Sequence, residues 1–469
     1  MAVSETIEQH PPGPGYDCGV FPVPQRGPLG LRRFLRMIRD NEISVFGQES
    51  FVNEMVQGRI AFQWFATLNK PEFIEHVLLT NHRNYDKGRL NRQILGPVLG
   101  EGLLTAEGEA WRRQRRATAP AFHRRRIEAA AAVMTRSAAA AVERLRPAAR
   151  AGQPVDIMPE MMALTMDIIG RALFSRDLGP SVFDLGAAVS TIIHSFGKPS
   201  PLDLLGLPEW LPRHRAPEAK RAVAQLDAMI DGIIAEGRAR QEEGDDLLAM
   251  LIDYRDEEGR GFGDRALRDQ IMTLFAAGHE TTGVALTWVF YLLSQHPEVE
   301  ARLHEELDST LGGRLPELAD LERLDYARMV IDETLQLFPP AFAINRFSLG
   351  PDRIGSHDIR PDTLITISPY VTQRSPLWWQ DPLRFDPERF APGADAGRHR
   401  FAYFPFGGGP RVCIGNTFAL MEARLVLATL AQAYRMRLAP GHPVEAQGLI
   451  TLRPRHGMKM ILEPRGKGL

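Results

Sequence analysis

The stretch that decides the fold is Phe406-Gly407-Gly408-Gly409-Pro410-Arg411-Val412-Cys413-Ile414-Gly415. Its three consecutive glycines allow a tight backbone turn and a close approach to a flat partner. The thiol of Cys413 precedes a predicted helix over residues 416–434, where free N–H groups and the helix dipole should lower its pKa. The pattern therefore predicts a metal ligand or a nucleophile. A buried structural thiol is the alternative, because that is the usual role of a lone cysteine.

The composition indicates a globular chain whose net charge favours no particular partner. Of 469 residues, 44% are apolar, which is enough for a large core. The 58 acidic and 56 basic residues leave a formal charge of -2, so nucleic acid is not an expected partner. Length alone would allow roughly two or three domains.

The cysteine content and the N-terminal segment bear on the compartment. The chain has two cysteines, Cys18 and Cys413, so neither a disulfide framework nor a cysteine-rich metal site can form. Residues 1–30 form a polar lead-in rich in proline and glycine, without the apolar core of a signal peptide. No apolar run reaches the length of a membrane span. We expect a soluble, cytoplasmic protein with no transmembrane segment.

Hydrophobic periodicity predicts a mainly helical chain with a minor β region. Helices are expected over residues 111–240, with a break near 198–212, and over residues 264–295, 325–337 and 416–434. Apolar residues surround the 264–295 helix on most sides, which predicts a position in the protein centre. Strands are expected near residues 60–66 and 364–367 and in the C-terminal tail.

Residues 277–282 of this central helix read Ala-Gly-His-Glu-Thr-Thr, an unfavourable composition for a buried helix. Thr281 can bond the carbonyl one turn back and bend the helix, and Gly278 leaves room beside the backbone. Together with Glu280, these residues predict a pocket with a hydroxyl and a proton source. A polar kink satisfied by its neighbours is the structural alternative.

The cysteine loop resembles the cytochrome P450 signature, Phe-x-x-Gly-x-Arg-x-Cys-x-Gly. The matching residues are Phe406, Gly409, Arg411, Cys413 and Gly415. The resemblance implies haem b as the cofactor, with Cys413 as an axial thiolate that promotes O–O cleavage. It further implies that Phe406 packs near the sulfur, that Arg411 meets a haem propionate, and that Gly415 contributes to the cofactor site.

The same resemblance specifies an expected fold. The family forms a single, mostly helical domain shaped like a triangular prism, with haem between the central long helix and the helix after the cysteine loop. Residues 31–469 are therefore expected to form one domain that follows the lead-in of residues 1–30.

Residues 277–282 also resemble the family's oxygen-activation motif, Ala/Gly-Gly-x-Asp/Glu-Thr-Thr/Ser. By this resemblance Ala277 and Gly278 flank the O2 pocket, Thr281 orients dioxygen, and Glu280 helps to relay protons. The resemblance thus assigns these four residues to catalysis.

Further matches concern the propionates of haem. Trp111 and Arg115 share one helix face, because they are four residues apart. They resemble the family's pair that contacts a propionate, and Arg346 resembles a strand arginine that also reaches one. For Arg115 the alternative is a solvated position in an arginine-rich surface helix.

One position departs from the family pattern. The family has Glu-x-x-Arg in the helix before Pro339, where this chain has Glu333 and Gln336. Arg389, in a Pro-Glu-Arg-Phe segment, would then pair with Glu333 alone. A buried network that loses a cation can lose about 3–5 kcal/mol when a charge is stranded, and the polar Gln336 and the remaining Arg389 should soften that loss. We therefore expect the fold and the haem site to persist with reduced stability.

The resemblance places the substrate pocket between the loop of residues 88–102, the central helix, and residues 341–344 and 449–450. These residues are mainly apolar, which favours a hydrophobic small molecule such as a fatty acid, terpenoid or steroid. Arg89 and Arg92 could bind a fatty-acid carboxylate, although such arginines are more often solvated. The apolar loop of residues 204–211 could gate the pocket or touch a membrane, although an ordinary packed loop is commoner.

No dinucleotide motif is evident, so electrons should come from a separate ferredoxin, flavodoxin or reductase. Arginines between residues 112 and 126, with Arg398 and Arg400, could dock such a partner. The sequence thus predicts a monooxygenase that inserts one atom of O2 into its substrate. One alternative is a haem-thiolate isomerase or peroxygenase, which Glu280 and Thr281 disfavour. Another is a non-catalytic haem-binding protein, suggested by Gln336.

Overall fold

The computed structural model describes residues 20–27, 30–60, 62–179, 181–197, 217–239 and 246–466. Cys18, most of the proline-rich lead-in and the apolar loop of residues 204–211 lie outside these ranges. The described residues are mostly helical with small sheets, which confirms the predicted mainly α class.

Helices form the body of the protein. In chain order they are α1 (Leu31–Asp40), α2 (Gln48–Val52), α3 (Pro71–Glu75), α4 (Gly88–Leu99), α5 (Gly108–Thr118), α6 (Arg124–Ala151), α7 (Ile157–Phe174), α8 (Ser181–Phe196), α9 (Pro217–Ala239), α10 (Leu247–Asp253), α11 (Asp264–Gln295), α12 (Pro297–Leu311), α13 (Asp325–Leu337), α14 (Pro369–Thr372) and α15 (Asn416–Ala433). Local sequence sets several helix ends. The helix α6 ends at Gly152, which has a φ of 61°, and the Asp156 carboxylate caps α7 by accepting from the N–H of Met158.

The helix α11 runs through the centre of the protein over 32 residues, as the sequence predicts. It packs against α7, α9, α13 and α15. Side chains on most sides of α11 are buried, among them Trp288, which is fully enclosed and stacks on Phe338 with ring centroids 4.0 Å apart. A helix covered on all sides gives the rest of the fold a rigid central wall.

The strands form small sheets around this helical body. They are β1 (Met55–Ile60), β2 (Gln63–Leu68), β3 (Tyr85–Asp86), β4 (Val155–Asp156), β5 (Ile344–Ser348), β6 (Asp352–Ile354), β7 (His357–Ile359), β8 (Leu364–Ile367), β9 (Tyr434–Leu438), β10 (Ala446–Gly448), β11 (Leu452–Pro454) and β12 (Lys459–Pro464). The largest sheet has the order β1-β2-β8-β5-β3, with β2 and β8 parallel and its other pairs antiparallel. A second sheet has the order β4-β12-β9, and β10 and β11 form a hairpin.

Three predicted boundaries differ from the structure. The strand expected at residues 60–66 is two strands, because β1 ends at Ile60, Phe62 lies in a turn, and β2 begins at Gln63. Residues 88–102 are mostly the helix α4 rather than a loop. Leu90, Ile94 and Val98 recur every four residues, and together they line the cavity from one side of α4. Pro97 lies within the last turn of this helix. Finally, α15 ends one residue before the predicted Tyr434, which begins β9.

Among the residues described above, no helix combines the length and the apolar character that crossing a membrane requires.

Candidate active site

A cavity of about 530 Å³ joins the cysteine loop to the central helix. Its walls come mainly from α4, α8, α11, residues 340–346 and residues 449–451 in the turn between β10 and β11. The sequence-predicted site residues that line it are Trp111, Arg115, Ala277, Gly278, Glu280, Thr281, Arg346, Phe406, Arg411, Cys413 and Gly415. The fold therefore brings to one cavity every residue predicted to act in catalysis or to bind the cofactor.

The cysteine loop is held by its own backbone. The N–H of Cys413 donates to the carbonyl of Phe406 at 3.0 Å, and the N–H of Val412 donates to Gly409 at 3.1 Å. Gly409 has a φ of 67°, and a Cβ atom there would collide with the carbonyl of Leu78. The turn thus requires glycine at this position both for its conformation and for space.

The expected lowering of the Cys413 pKa is wrong for the protein alone. Protein atoms surround the thiol, and this burial raises its pKa. The backbone N–H of Gly415 and the guanidinium of Arg115 act in the opposite direction but do not outweigh burial. The thiol is nevertheless accessible from the cavity. A stable thiolate here requires a further positive partner, such as a metal ion.

Cationic side chains gather at one end of the cavity. Arg115 donates through Nη1 to the carbonyl of Val412 at 3.0 Å. The guanidinium of Arg411 lies 4.5 Å from the centroid of the Trp111 ring. Arg346 is buried in the adjoining strand β5, and burial together with the charge of Arg411 lowers its pKa to about 10. Such an excess of positive charge suits a ligand that carries carboxylates.

Two further residues of this cationic end were missed by sequence reasoning. Lys87 donates through Nζ to the carbonyls of Leu103 and Ala106, each at 3.1 Å, and burial lowers its pKa to about 7. Glu107 pairs with Arg411 and accepts from the backbone N–H of Lys87 at 2.8 Å. Neither residue lies in a recognisable sequence motif. Lys87 follows β3 and Glu107 precedes α5, and these two segments meet only in the folded chain.

The central helix opens toward the cavity at Gly278. A Cβ atom there would collide with the terminal methyl of Ile169 on α7, so a larger residue at this position requires the Ile169 side chain to move. The hydroxyl of Thr281 donates to the carbonyl of Ala277 at 2.8 Å, one turn back, as the sequence predicts. The carbonyl of His279 accepts from the hydroxyl of Thr165 at 2.8 Å rather than serving the helix alone.

Glu280 is buried and bonded to the C-terminal hairpin. Its Oε1 accepts from the hydroxyl of Thr451 at 2.8 Å and lies 3.7 Å from the guanidinium of Arg453. None of the described residues hydrogen-bonds its Oε2. Arg453 is only 1% exposed. Sequence reasoning proposed Glu280 but missed Thr451 and Arg453, which are far away along the chain and match no motif.

Glu422 of α15 is a second buried acid that the sequence did not single out. It lies beside Thr282 of α11 and lines the cavity. Burial raises the pKa of its carboxyl well above the usual range and so favours its neutral form. The periodicity of α15 alone gave no reason to separate this acid from a surface residue.

The departure at Gln336 is accommodated by backbone contacts. Its Nε2 donates to the carbonyls of Gln373 and Pro382, the latter at 3.0 Å. Arg389 still pairs with Glu333, Nε to Oε1 at 3.3 Å, as expected. The buried pair therefore persists without the family's second cation.

The chain matches the family model described as Cytochrome P450 over residues 40–459. Cyclooctatin synthase from Streptomyces melanosporofaciens is 39% identical over 398 residues, which cover 84% of this chain and 85% of that protein. Cyclooctat-9-en-7-ol 5-monooxygenase from the same organism is 36% identical over 372 residues, or 79% and 80% of the two chains. Pentalenene oxygenase from Streptomyces avermitilis is 33% identical over 402 residues, or 85% and 87%.

A cysteine loop and a Gly/Glu/Thr helix on one apolar cavity define a haem-thiolate oxygenase class. The chain belongs to the cytochrome P450 family, and the predicted fold is confirmed with it. The enzyme is a monooxygenase, as its oxygenase-named relatives indicate. The family implies a haem-thiolate cofactor, O2, a small-molecule substrate and a redox partner.

The residues present fit this cofactor. Cys413 presents one thiol to the cavity, and a thiolate is an axial ligand that haem iron accepts. Gly407, Gly408 and Gly415 line the cavity, so this loop can present its backbone to a flat ring. The cationic end of the cavity supplies partners for two propionates.

Proposed function

We propose that this enzyme hydroxylates a terpenoid, with haem b held by Cys413. The observation that supports this proposal is the shared cavity, in which the Cys413 thiol, the Thr281 hydroxyl and the Glu280 carboxyl line one largely apolar space. The names of the similar proteins refer to cyclooctatin, cyclooctat-9-en-7-ol and pentalenene, which favours a terpenoid. The overall reaction converts R–H, O2, two electrons and two protons into R–OH and water.

A fatty acid fits less well. In the part of the chain that the structure describes, neither Arg89 nor Arg92 lines the cavity. Arg89 instead donates to Oε1 of Gln63 at 2.7 Å and lies 3.7 Å from Asp362 on the surface. The cavity therefore presents no cation of α4 to a fatty-acid carboxylate, and an apolar ring system suits its walls better.

The cationic end would hold the cofactor. Cys413 would ligate the iron through Sγ, with Phe406 and Gly415 lining the same side. Arg115, Arg346 and Trp111 would bind the propionates, as would Arg411. When bound, haem supplies the activation of dioxygen. Its positive iron is also the partner that the buried thiol requires for deprotonation.

The central helix would handle protons on the opposite wall. Gly278 and Ala277 leave space beside the helix, and the Thr281 hydroxyl can hold a proton at Oγ1 while it stays anchored to the Ala277 carbonyl. Glu280 can hold a proton at its unpartnered Oε2. The apolar walls exclude bulk water and hold the substrate.

Electrons would come from a separate acidic protein, a ferredoxin or flavodoxin. Exposed arginines lie where α5 meets α6, and this junction adjoins the cysteine loop through the contact of Phe122 with Gly415. Arg112, Arg116 and Arg124 have side chains that are 61%, 56% and 88% exposed. Arg113 and Arg398 instead lie against aromatic rings, so they are less suited to docking.

The CO difference spectrum of the reduced holoprotein tests the proposal, with Cys413→Ser as the variant and Cys18→Ser as the matched control. We expect a strongly red-shifted Soret band in the parent and in Cys18→Ser, and its loss in Cys413→Ser. A band that survives in Cys413→Ser, or protein that binds no haem, would overturn the assignment. Turnover that runs on peroxide but never on O2 with a supplied reductant would instead favour a peroxygenase.

A further inference from the structure

The carboxyl of Glu42 lines the cavity, as do those of Glu280 and Glu422, but it has no role in the proposed chemistry. It belongs to a short 3-10 turn, Glu42–Val45, just after α1. Asn41 anchors this turn to the hairpin, because its Nδ2 donates to the carbonyl of Ala446 at 2.8 Å and its Oδ1 accepts from the N–H of Gly448 at 2.8 Å. The hairpin tip, residues 449–451, lines the same cavity, so Glu42 has a fixed place on its wall.

The Glu42 carboxyl has no partner among the described residues. No hydrogen bond or ion pair reaches its side chain, and burial is the one influence on its pKa, which it raises to about 8. No arginine, lysine or histidine lies close enough to counter that burial. A partly buried carboxyl that bonds none of the described residues calls for a functional explanation.

Much of the cavity that Glu42 lines is apolar. Phe342 and Ala343 precede β5, and Leu449 and Ile450 lie at the hairpin tip. Ile43, the next residue in the turn, packs against Gly448. A polar group in a largely apolar cavity fixes the orientation of a ligand rather than supplying most of its affinity.

We propose that Glu42 determines specificity by hydrogen-bonding a hydroxyl group of an otherwise apolar terpenoid, so that the substrate is an alcohol rather than a hydrocarbon. The inference rests on the proposed function and adds the substrate class. A neutral carboxyl both donates and accepts, which matches a hydroxyl, whereas an ammonium group requires the carboxylate. The substrate must then come from a reaction that has already introduced a hydroxyl, and the product is a diol.

The test uses matched probes that differ in one group. These are bornane, borneol and bornylamine, and the larger cedrane, cedrol and cedryl methyl ether. Binding to the holoprotein is measured from the substrate-induced shift of the Soret band in the parent, Glu42→Gln and Glu42→Leu. The control is Glu257→Gln, which removes a carboxyl that is 84% exposed.

We expect the alcohol-to-hydrocarbon affinity ratio to fall about five- to tenfold in Glu42→Leu and less in Glu42→Gln, because one buried hydrogen bond is lost. Glu257→Gln should leave the ratio unchanged, and cedryl methyl ether, which cannot donate, should bind less tightly than cedrol. As a second readout, the infrared C=O band of protonated Glu42 should shift on adding cedrol and be absent in Glu42→Gln.

An unchanged ratio, no spectral response to any alcohol, or a carboxyl band insensitive to cedrol would overturn the inference. A Glu42-dependent gain for bornylamine larger than that for borneol would overturn it in favour of a cationic ligand. The CO difference spectrum of each variant distinguishes a failure of this inference from a failure of the proposed function. Protein with thiolate-ligated haem but an unchanged ratio contradicts the inference alone, whereas protein without such haem contradicts the proposed function.

Discussion

The two faces of the cavity are built in different ways. The cysteine loop is contiguous in sequence, and its geometry comes from the short-range bonds of Cys413 to Phe406 and of Val412 to Gly409. The opposite wall is assembled from distant segments. Glu280 of the central helix meets Thr451 and Arg453, which lie about 170 residues further along the chain.

This difference explains why the residues of the cysteine loop could be predicted from the sequence, whereas the partners of Glu280 on the opposite wall could not. A loop that folds on itself leaves its requirements in adjacent residues, such as glycine at position 409. A wall assembled by long-range contacts shows no such requirement in adjacent residues, because tertiary packing decides which residue becomes the partner of a buried acid. Substitutions on the two faces should therefore change the free energy of unfolding for different reasons. Substitutions at Arg453 and Gly409 test this, and a third position, Gln336, extends the comparison; they follow in order of expected effect.

Replacement of Arg453 should have the largest effect on stability. Arg453→Leu leaves the carboxylate of Glu280 buried without its cation, and losing one partner of a buried pair costs about 3–5 kcal/mol. Adding Glu280→Gln removes the stranded charge, so the double variant should recover most of the free energy of unfolding. Urea unfolding followed by circular dichroism measures all three proteins.

The control for this cycle is Arg112→Leu, which removes an exposed pair with Glu109 and should cost less than about 1 kcal/mol. If Glu280→Gln recovered no free energy of unfolding in the Arg453→Leu background, the stability of the wall opposite the cysteine loop would not depend on this pair. The contrast between the two faces would then be lost.

On the cysteine loop, Gly409→Ala should cost roughly 2–4 kcal/mol, since it combines a left-handed backbone with a collision against the carbonyl of Leu78. Gly441→Ala is its matched control. Gly441 has a φ of 75° but nothing within 4 Å of an added Cβ, so roughly 1–2 kcal/mol of conformational strain is expected. Equal losses of unfolding free energy in the two variants would show that the close approach to Leu78 carries no energy.

Much of the fold and part of the site followed from sequence. The helix Asp264–Gln295 was predicted to its ends because its hydrophobic pattern is long and continuous. For residues 88–102 the family resemblance predicts a loop, whereas most of them form the helix α4. Glu42 and Lys87 were missed for the same reason as Arg453, because only folding brings them to the cavity.

The smallest expected effect concerns Gln336, where the family motif and the tertiary contacts make opposite predictions. Oε2 of Glu333 and Oε1 of Gln336 are both buried without a partner. An arginine at position 336 could donate to Glu333, so Gln336→Arg should gain about 1 kcal/mol and raise the thermal midpoint by roughly 1–2 °C. Gln336→Leu, which removes the bonds to Gln373 and Pro382, should lower the midpoint.

A midpoint that falls in Gln336→Arg would mean that these two backbone carbonyls already satisfy the position. The departure from the motif would then carry no loss of stability, because long-range contacts had replaced the missing cation. The hypothesis of reduced stability would be wrong. The helix Asp325–Leu337 would then resemble the wall opposite the cysteine loop, because tertiary partners would determine its stability. It would differ from the cysteine loop, whose geometry depends on the local sequence.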